Sequence, residues 1–261
     1  DWLAVDFRTH GYDVRRMLRQ LARSAVFRQT NRARPELATD DPDNRLLASY
    51  PRRRLSAEQL RDQALFASGL LVERFGGPPV KPYQPPGLWQ EVAMTQSNTR
   101  TFERDSGDAL FRRSLYTYYK RACPPPFLLQ FDAPTREFCT VRRVTTNTPQ
   151  QALALWNDEQ LVEAARVLAQ RALGDGAGDQ ERLAAMHRRC TGRDPDAAGL
   201  RRLQQALDAF RGRFAAAPDD AAALLAVGTV PVAADVAPAD LAALTLIASA
   251  LLNLDATVCV P

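Results

Sequence analysis

The side chains best suited to acid–base chemistry lie in one irregular stretch of the sequence. Asp132 and Glu137 flank Arg136 in a segment that contains proline and precedes a helix signal. A guanidinium can keep one neighbouring carboxylate ionised while a second carboxyl stays protonated, and a glycosidase divides its two carboxyl groups in this way. The pattern makes Asp132, Arg136 and Glu137 candidate catalytic residues. The alternative is an arginine–carboxylate pair that only fixes a loop.

Aromatic side chains concentrate around the proline-rich segments. Rings on irregular surface segments can stack on sugars or hold proline-rich peptides. They can also pack loops onto helices, because loops without regular hydrogen bonds need large side chains to fix them. The candidate ligand-binding residues are Tyr83, Trp89, Tyr116 and Tyr118, with Tyr119 beside them.

Metal-ion and nucleophile chemistry finds little support in the sequence. His187 and Cys190 share one helical face, but zinc sites take three or four protein ligands and the other histidine is the distant His10. No G-x-S-x-G, C-x-x-C or C-x-x-C-H motif occurs, so we expect neither a metal site nor an attached haem in this segment. The wide spacing of the four cysteines favours buried thiols or one incidental disulfide bridge.

Arginine carries almost all of the positive charge. The 261 residues include 34 basic side chains, of which only Lys81 and Lys120 are lysines. The run Arg52–Arg54 could contact nucleic acid, but acidic residues follow it closely. Arginine also forms bidentate internal pairs that lysine cannot form. We therefore expect internal pairing and no nucleic-acid partner.

Hydrophobic periodicity and capping signals predict a mainly α-helical chain. Ser56 with Gln59, and Thr148 with Gln151, form capping-box patterns at helix starts. Residues 76–107 are rich in proline and glycine and cannot form regular helix. No apolar run reaches about 18 residues, so we expect no membrane span. The predicted helices cover about 13–28, the residues after 56, 149–173, 179–191, 195–215, 219–227 and 238–253.

The predicted fold is a multi-helix domain with a proline-rich irregular centre, and the aromatic residues 114–121 allow a short β element. We treat 1–261 as one domain, with helices and the irregular region in 1–147 and a helical subregion in 148–261. The opening segment, Asp1–Phe7, has the apolar spacing of the middle of a helix. We therefore expect the chain to be an excerpt that lacks an N-terminal portion.

A series of motifs in a fixed order resembles one known family. The motifs are Phe27-Arg28-Gln29, Asp41-Pro42-Asp43-Asn44-Arg45, Arg52-Arg53-Arg54-Leu55-Ser56, Gly76-Gly77-Pro78-Pro79, Pro82-Tyr83-Gln84-Pro85, Arg112-Arg113-Ser114-Leu115-Tyr116, Phe131-Asp132-Ala133-Pro134, Thr146-Asn147-Thr148-Pro149 and Leu252-Asn253-Leu254-Asp255. In this order they resemble domain of unknown function 1553, the C-terminal domain of large proteins typical of planctomycetes. The resemblance covers nearly the whole chain, although residues 256–261 depart from the usual polar ending of the family.

The resemblance implies which domains accompany this chain and where the protein is located, but it implies no reaction. Proteins of this kind usually carry a signal peptide, a c-type cytochrome segment and another uncharacterised domain upstream. The resemblance therefore implies export to the periplasm or cell surface, haem in the upstream region alone, and the upstream domains as partners. The family supplies no established catalytic residues.

Two functions from different classes remain open. The first is a non-catalytic module that docks onto its upstream domains or presents its aromatic loops to glycan or protein. The alternative is a carbohydrate-active enzyme that uses carboxylates of the irregular centre. An enzyme should bring these carboxylates together in a cleft, whereas a module should bury and pair them.

Overall fold

The computed structural model describes residues 1–30, 35, 37–176, 178–234 and 236–260. Within these ranges the chain is mainly α-helical, as the sequence predicts, and it divides into two compact units. One unit holds residues 1–53 with the last residues from Cys259, and the other holds Arg54–Val258. Two short strands, β1 (Arg53–Arg54) and β2 (Cys259–Val260), form a two-stranded sheet. Among the described residues, no helix combines the length and apolar composition that a membrane crossing requires.

The helices of the first unit are α1 (Trp2–Thr9), α2 (Val14–Arg23) and α3 (Leu37–Asp40). Asp13 caps α2, because its carboxylate accepts a hydrogen bond from the Arg16 backbone N–H at 3.0 Å. Helix α2 is shorter than the predicted 13–28. The Ser24 hydroxyl donates to the Leu21 carbonyl at 2.7 Å, and this local bond competes with continued helix.

A buried apolar helix organises the second unit. This helix, α12 (Pro238–Leu252), packs against α8 (Glu159–Leu173), α10 (Ala197–Ala216) and α11 (Pro218–Leu225). Its large apolar side chains are almost completely buried, and each contributes about 1.5–3 kcal/mol to folding. The remaining helices of this unit are α4 (Ala57–Ser68), α5 (Leu88–Val92), α6 (Pro126–Gln130), α7 (Pro149–Asn157), α9 (Asp179–Thr191) and α13 (Asp255–Val258).

Helix α4 begins as its capping signal predicts. The Gln59 backbone N–H donates to the Ser56 hydroxyl, and the Ser56 backbone N–H donates to the Gln59 side chain at 3.0 Å. The helix ends at Gly69, which has a left-handed φ of 81°. A side chain at this position would also collide with the Arg171 guanidinium, so glycine fits on both counts.

Between α4 and α7 the backbone is mostly irregular, and a buried arginine supplies part of its hydrogen bonding. The Arg112 guanidinium donates to the carbonyls of Pro78 at 2.9 Å and Arg74 at 3.0 Å, and also to that of Gly76. It lies over the Tyr116 ring at 3.9 Å from the centroid. One side chain thus satisfies three carbonyls that no helix or sheet would reach.

The short β element that the aromatic residues 114–121 allow does not form at that place. Ser114–Tyr116 is a 3₁₀ helix, and Thr117 makes one isolated parallel bridge to Val80. Pro78 and Pro82 lie two residues before and after Val80, where the next hydrogen bonds to this partner would start, and proline has no backbone N–H. Pairing therefore cannot extend into a strand, because prolines interrupt the segment opposite Thr117.

The helix predicted over residues 149–173 is two helices, α7 and α8, separated at Asp158. This residue has extended backbone angles, with φ −65° and ψ 126°. Its carboxylate accepts hydrogen bonds from the backbone N–H groups of Gln160 at 3.1 Å and Leu161 at 3.2 Å. An aspartate that captures free N–H groups favours a helix start over a helix interior, and this preference explains the break.

Charged side chains join three helices at the start of α9. Arg211 of α10 donates to Asp179 of α9 at 2.8 Å and to Asp240 of α12 at 2.6 Å. The hydrogen bond from Arg211 lowers the pKa of Asp179 to about 2. A carboxyl with a lowered pKa stabilises the fold above its ordinary pKa of about 3.9, and this stabilisation is lost as the pH falls towards 2.

We expect Arg211→Gln to lower the free energy of unfolding by about 1–2 kcal/mol at pH 7, because two partly exposed carboxylates lose their charged partner. The difference between wild type and variant should shrink at pH 3, where Asp179 begins to lose its charge. Urea unfolding at both pH values measures this. Arg202→Gln, on an exposed position of the same helix, should change stability by less than about 0.5 kcal/mol. A constant difference from pH 7 to pH 3 would contradict the assignment.

Candidate ligand-binding groove

The second unit carries an open groove of about 540 Å³, a volume typical of small-molecule sites. The proline-rich segment at residues 83–85, helices α6 and α7, and the residue between α7 and α8 line it. We call it the Tyr83 groove. Its polar and aromatic lining consists of two rings, four carboxamides and one carboxylate, which are Tyr83, Phe127, Gln84, Gln130, Gln150, Asn157 and Asp158.

Proline and capping residues place α6 and α7 beside each other. Pro126 opens α6 at the first helical position, where its missing N–H costs nothing. Thr148 and Gln151 form the capping box that opens α7, as predicted. The Gln151 side chain also donates to the Gln130 carbonyl at 2.9 Å, so the start of α7 is tied to the end of α6.

Tyr83 lines the groove, and a hydrogen bond to Glu163 fixes its hydroxyl. The hydroxyl donates to Glu163 Oε2 at 2.7 Å, and the Arg104 guanidinium lies 4.7 Å from the ring centroid. Burial, reinforced by Glu163, raises the pKa of Tyr83 to about 12. The phenol therefore stays protonated at neutral pH and acts as a hydrogen-bond donor, not as a base.

Glu163 is completely buried and satisfied by donors from one loop. Its Oε1 accepts hydrogen bonds from the backbone N–H groups of Thr229 at 2.5 Å and Val230 at 2.7 Å. Arg166 lies 3.9 Å away and is equally buried. A side chain at Gly228 would collide with the Glu163 carboxylate, so the loop can approach it closely only with glycine there. This arrangement holds Tyr83 in position.

Asp158 is the carboxylate of the groove. Its Oδ1 caps α8, and its Oδ2 makes no hydrogen bond to the part of the chain that the structure describes. Burial raises the pKa of the Asp158 carboxyl above its ordinary value, against the two backbone N–H donors and Arg61. One carboxylate oxygen thus caps α8, and the other can accept a hydrogen bond from a ligand.

A small chamber of about 20 Å³ borders the groove. Tyr83, Phe127 and Asp158 line both cavities, and Arg61 and Thr117 also line the chamber. A polar cavity of this size accommodates about one water-sized group.

The candidate catalytic residues do not line the groove. Asp132 Oδ2 accepts hydrogen bonds from the Thr146 backbone N–H at 2.7 Å and the Thr146 hydroxyl at 2.8 Å. It also accepts one from Gln151 at 3.3 Å. Asp132 therefore stabilises the start of α7 from outside the groove lining. Arg136 lies 4.4 Å from the centroid of the Tyr119 ring, and Glu137 is exposed.

Of the aromatic candidates, Tyr83 alone lines the Tyr83 groove among the described residues. Trp89 is buried and packs edge-on against Phe102 with 5.0 Å between centroids, and its centroid lies 5.6 Å from that of Tyr118. Tyr116 accepts a hydrogen bond from the Gly76 N–H at 2.8 Å. These three rings pack the irregular centre.

Metal binding has no structural support in the described ranges, where no group of three or more His, Cys, Asp or Glu side chains could hold an ion. His187 Nδ1 donates to the Arg193 carbonyl at 2.8 Å. Cys190 is buried as expected, and burial raises the pKa of its thiol to about 12. Cys139, in contrast to the expectation of buried thiols, is exposed.

A family model described as a protein of unknown function (DUF1553) matches residues 1–207. The chain belongs to this family. The resemblance that the ordered motifs indicate is therefore confirmed. No curated protein and no solved structure matches the chain.

The sequence of this DUF1553 chain indicates Tyr83 by its residue type, whereas most other residues of the groove have no such signal. Phe127, Gln130 and Gln150 look like ordinary residues of short helices, and the packing of α6 beside α7 brings them together. Asp158 carries a detectable signal, because an aspartate three residues before Leu161 is typical of a helix start.

For the DUF1553 chain we expect Asp132→Ala to lower the free energy of unfolding by about 2–3 kcal/mol. Thr146 and Gln151 would lose their acceptor, and alanine is strained at the left-handed φ of 61°. Asp132→Asn should cost less, because asparagine tolerates this conformation and keeps an acceptor. Urea unfolding measures both. Glu137→Ala, at an exposed position, is the control and should change stability by less than about 0.5 kcal/mol. If Asp132→Ala were as stable as wild type, the bracing role would be wrong.

Proposed function

We propose that this chain is a non-catalytic module that binds a neutral carbohydrate chain in the Tyr83 groove. The composition of the lining carries the proposal, since two aromatic rings stand beside four carboxamides and one carboxylate. Sugar C–H faces pack on aromatic rings, and carboxamides and carboxylates exchange hydrogen bonds with adjacent hydroxyl groups. Among the described residues that line the groove there is no lysine or arginine, so the lining offers no cationic side chain to pair with an anionic ligand.

The side chain of Gln84 supports the same proposal. Its Nε2 atom is buried and has no hydrogen-bond partner within the described ranges, although the residue lines an open groove. A buried donor without an acceptor costs about 1–3 kcal/mol. A rotation of the Gln84 side chain towards the groove would let a ligand oxygen accept from Nε2 and recover this cost, which favours a ligand rich in hydroxyl oxygens.

The alternative function, a carbohydrate-active enzyme, is less favoured by the groove. Glycoside hydrolysis usually takes two carboxyl groups that face the scissile bond, about 5–9.5 Å apart. Asp158 is the one carboxylate among the described residues that line the groove, and Asp132 and Glu137 lie outside it. We therefore favour binding over hydrolysis.

We expect isothermal titration calorimetry to detect binding of at least one of cellotetraose, maltotetraose and mannotetraose to the 261-residue chain. Ala154→Trp should weaken this binding at least tenfold, because Ala154 of α7 lines the groove and the indole would fill it. Ala152→Trp is the matched control on an exposed position of α7 outside the lining, and it should bind as wild type does.

Two results would contradict the binding proposal. One is the absence of binding to all three tetrasaccharides, and the other is equal weakening by Ala154→Trp and Ala152→Trp. Binding of a proline-rich peptide in place of the sugars would assign the groove to protein docking. Release of shorter sugars during the titration would favour the enzyme.

We further propose, on the family resemblance, that the full-length protein is exported and carries a c-type cytochrome segment outside this chain. The chain itself contains no C-x-x-C-H motif, so the haem would bind in the upstream region. We expect the full-length protein in the periplasmic or surface fraction of its cells, with covalently bound haem visible by peroxidase staining after denaturing electrophoresis. A cytoplasmic protein without such staining would contradict both expectations.

A further inference from the structure

Some polar groups that line the chamber are hydrogen-bonded within the fold, and others have no hydrogen-bond partner among the described residues. Arg61 is 4% exposed and donates to Gln160 at 2.5 Å, to the carbonyls of Leu110 and Arg112 at 2.8 Å each, and to the Ser114 hydroxyl at 3.1 Å. Its guanidinium is thus used within the fold.

Gln160 is occupied as well, since its side-chain nitrogen donates to the Leu110 carbonyl at 3.0 Å and its oxygen accepts from Arg61. Both side chains are thus held mainly by the fold, and each keeps one N–H beyond these hydrogen bonds.

Thr117 differs from Arg61 and Gln160, because the fold does not use its hydroxyl. It is 6% exposed, and its hydroxyl has no hydrogen-bond partner in the part of the chain that the structure describes. Asp158 Oδ2 is equally without a partner in that part, because both cap hydrogen bonds go to Oδ1. Both residues line the chamber, so its lining includes one hydroxyl and one carboxylate oxygen that have no partner among the described residues. A single hydroxyl group that entered it could accept from the first and donate to the second.

We propose that the chamber is a subsite for the hydroxymethyl group of a hexopyranosyl unit in the Tyr83 groove. This inference rests on the proposed function and names the ligand class of the same site. The chamber has room for one water-sized oxygen, and its neighbours Tyr83 and Phe127 also line the groove that would hold the sugar ring. A hydroxyl that extends from the ring by one methylene is the group that such a side chamber fits.

The subsite sets a preference among neutral and charged sugars. A pentopyranosyl unit has no hydroxymethyl group and would leave Thr117 and Asp158 without partners. A uronosyl unit places a carboxylate there beside the Asp158 carboxylate, and like charges repel. Arg61 also lines the chamber, but Asp62 and Asp158 already balance its charge. A site built to hydrogen-bond a ligand hydroxyl rejects the analogue that lacks it more strongly than an apolar pocket rejects a smaller ligand.

The test compares five tetrasaccharides on the 261-residue chain by calorimetry, namely cellotetraose, maltotetraose, mannotetraose, xylotetraose and tetragalacturonic acid. We expect one of the three hexose-based ligands to bind at least tenfold more tightly than xylotetraose and tetragalacturonic acid. Cellotetraose and xylotetraose form the matched pair, because they share their linkage and differ by the hydroxymethyl groups.

Thr117→Val tests the subsite itself. It should remove most of the tenfold preference while leaving the melting temperature unchanged or slightly raised, because the hydroxyl has no partner to lose within the described ranges. Thr101→Val, at an exposed position outside the chamber lining, is the control and should keep the preference. Asp158→Asn preserves the helix cap and should weaken the rejection of tetragalacturonic acid.

The outcomes separate the two proposals. Binding of xylotetraose as tightly as the best hexose ligand, or an unchanged preference in Thr117→Val, would overturn the subsite and leave the binding function standing. If none of the five ligands bound, the binding function and the subsite would both be wrong.

Discussion

The irregular centre of the second unit depends on one buried guanidinium, that of Arg61. A cation removed from water costs several kcal/mol, and burial lowers the pKa of Arg61 to about 10. The cost is offset because four acceptors surround the guanidinium, from α8 and from the irregular centre. Asp62 and Asp158 also favour its charged form. Arg61 thereby fixes the irregular centre against α4 and α8, which regular backbone hydrogen bonds could not do.

The same logic explains why arginine outnumbers lysine so strongly. Arg112 donates to three carbonyls of a glycine- and proline-containing turn, and Arg166 donates to the Val230 carbonyl at 2.7 Å beside buried Glu163. A planar guanidinium with five donors can serve several carbonyls at once, whereas an ammonium group presents a compact point charge. The basic composition of the chain therefore reflects internal hydrogen bonding at these positions, as the sequence predicts.

Local signals predicted the helices well, and distant contacts were not predictable. The capping boxes at Ser56 and Thr148 depend on residues three positions apart, so sequence alone locates both helix starts. The sequence does not predict the break at Asp158, because the apolar pattern continues across it. The helix breaks there because the aspartate accepts hydrogen bonds from the N–H groups of the next turn. The aromatic side chain of Tyr83, beside prolines, is enough to predict it as a ligand-binding residue. Gln84 and Thr117 could not be found, because an absent hydrogen-bond partner is a property of the folded chain.

The position of Asp158 explains why the groove lies where two helices meet. A helix start concentrates free N–H groups, and an aspartate cap satisfies them with one oxygen. Its second oxygen makes no hydrogen bond to the part of the chain that the structure describes. Packing of α6 and the proline-rich segment against this junction places Asp158 in the lining of both the groove and the chamber. A residue that the fold needs as a cap is thus held rigidly for binding, and its carboxylate is oriented before any ligand arrives.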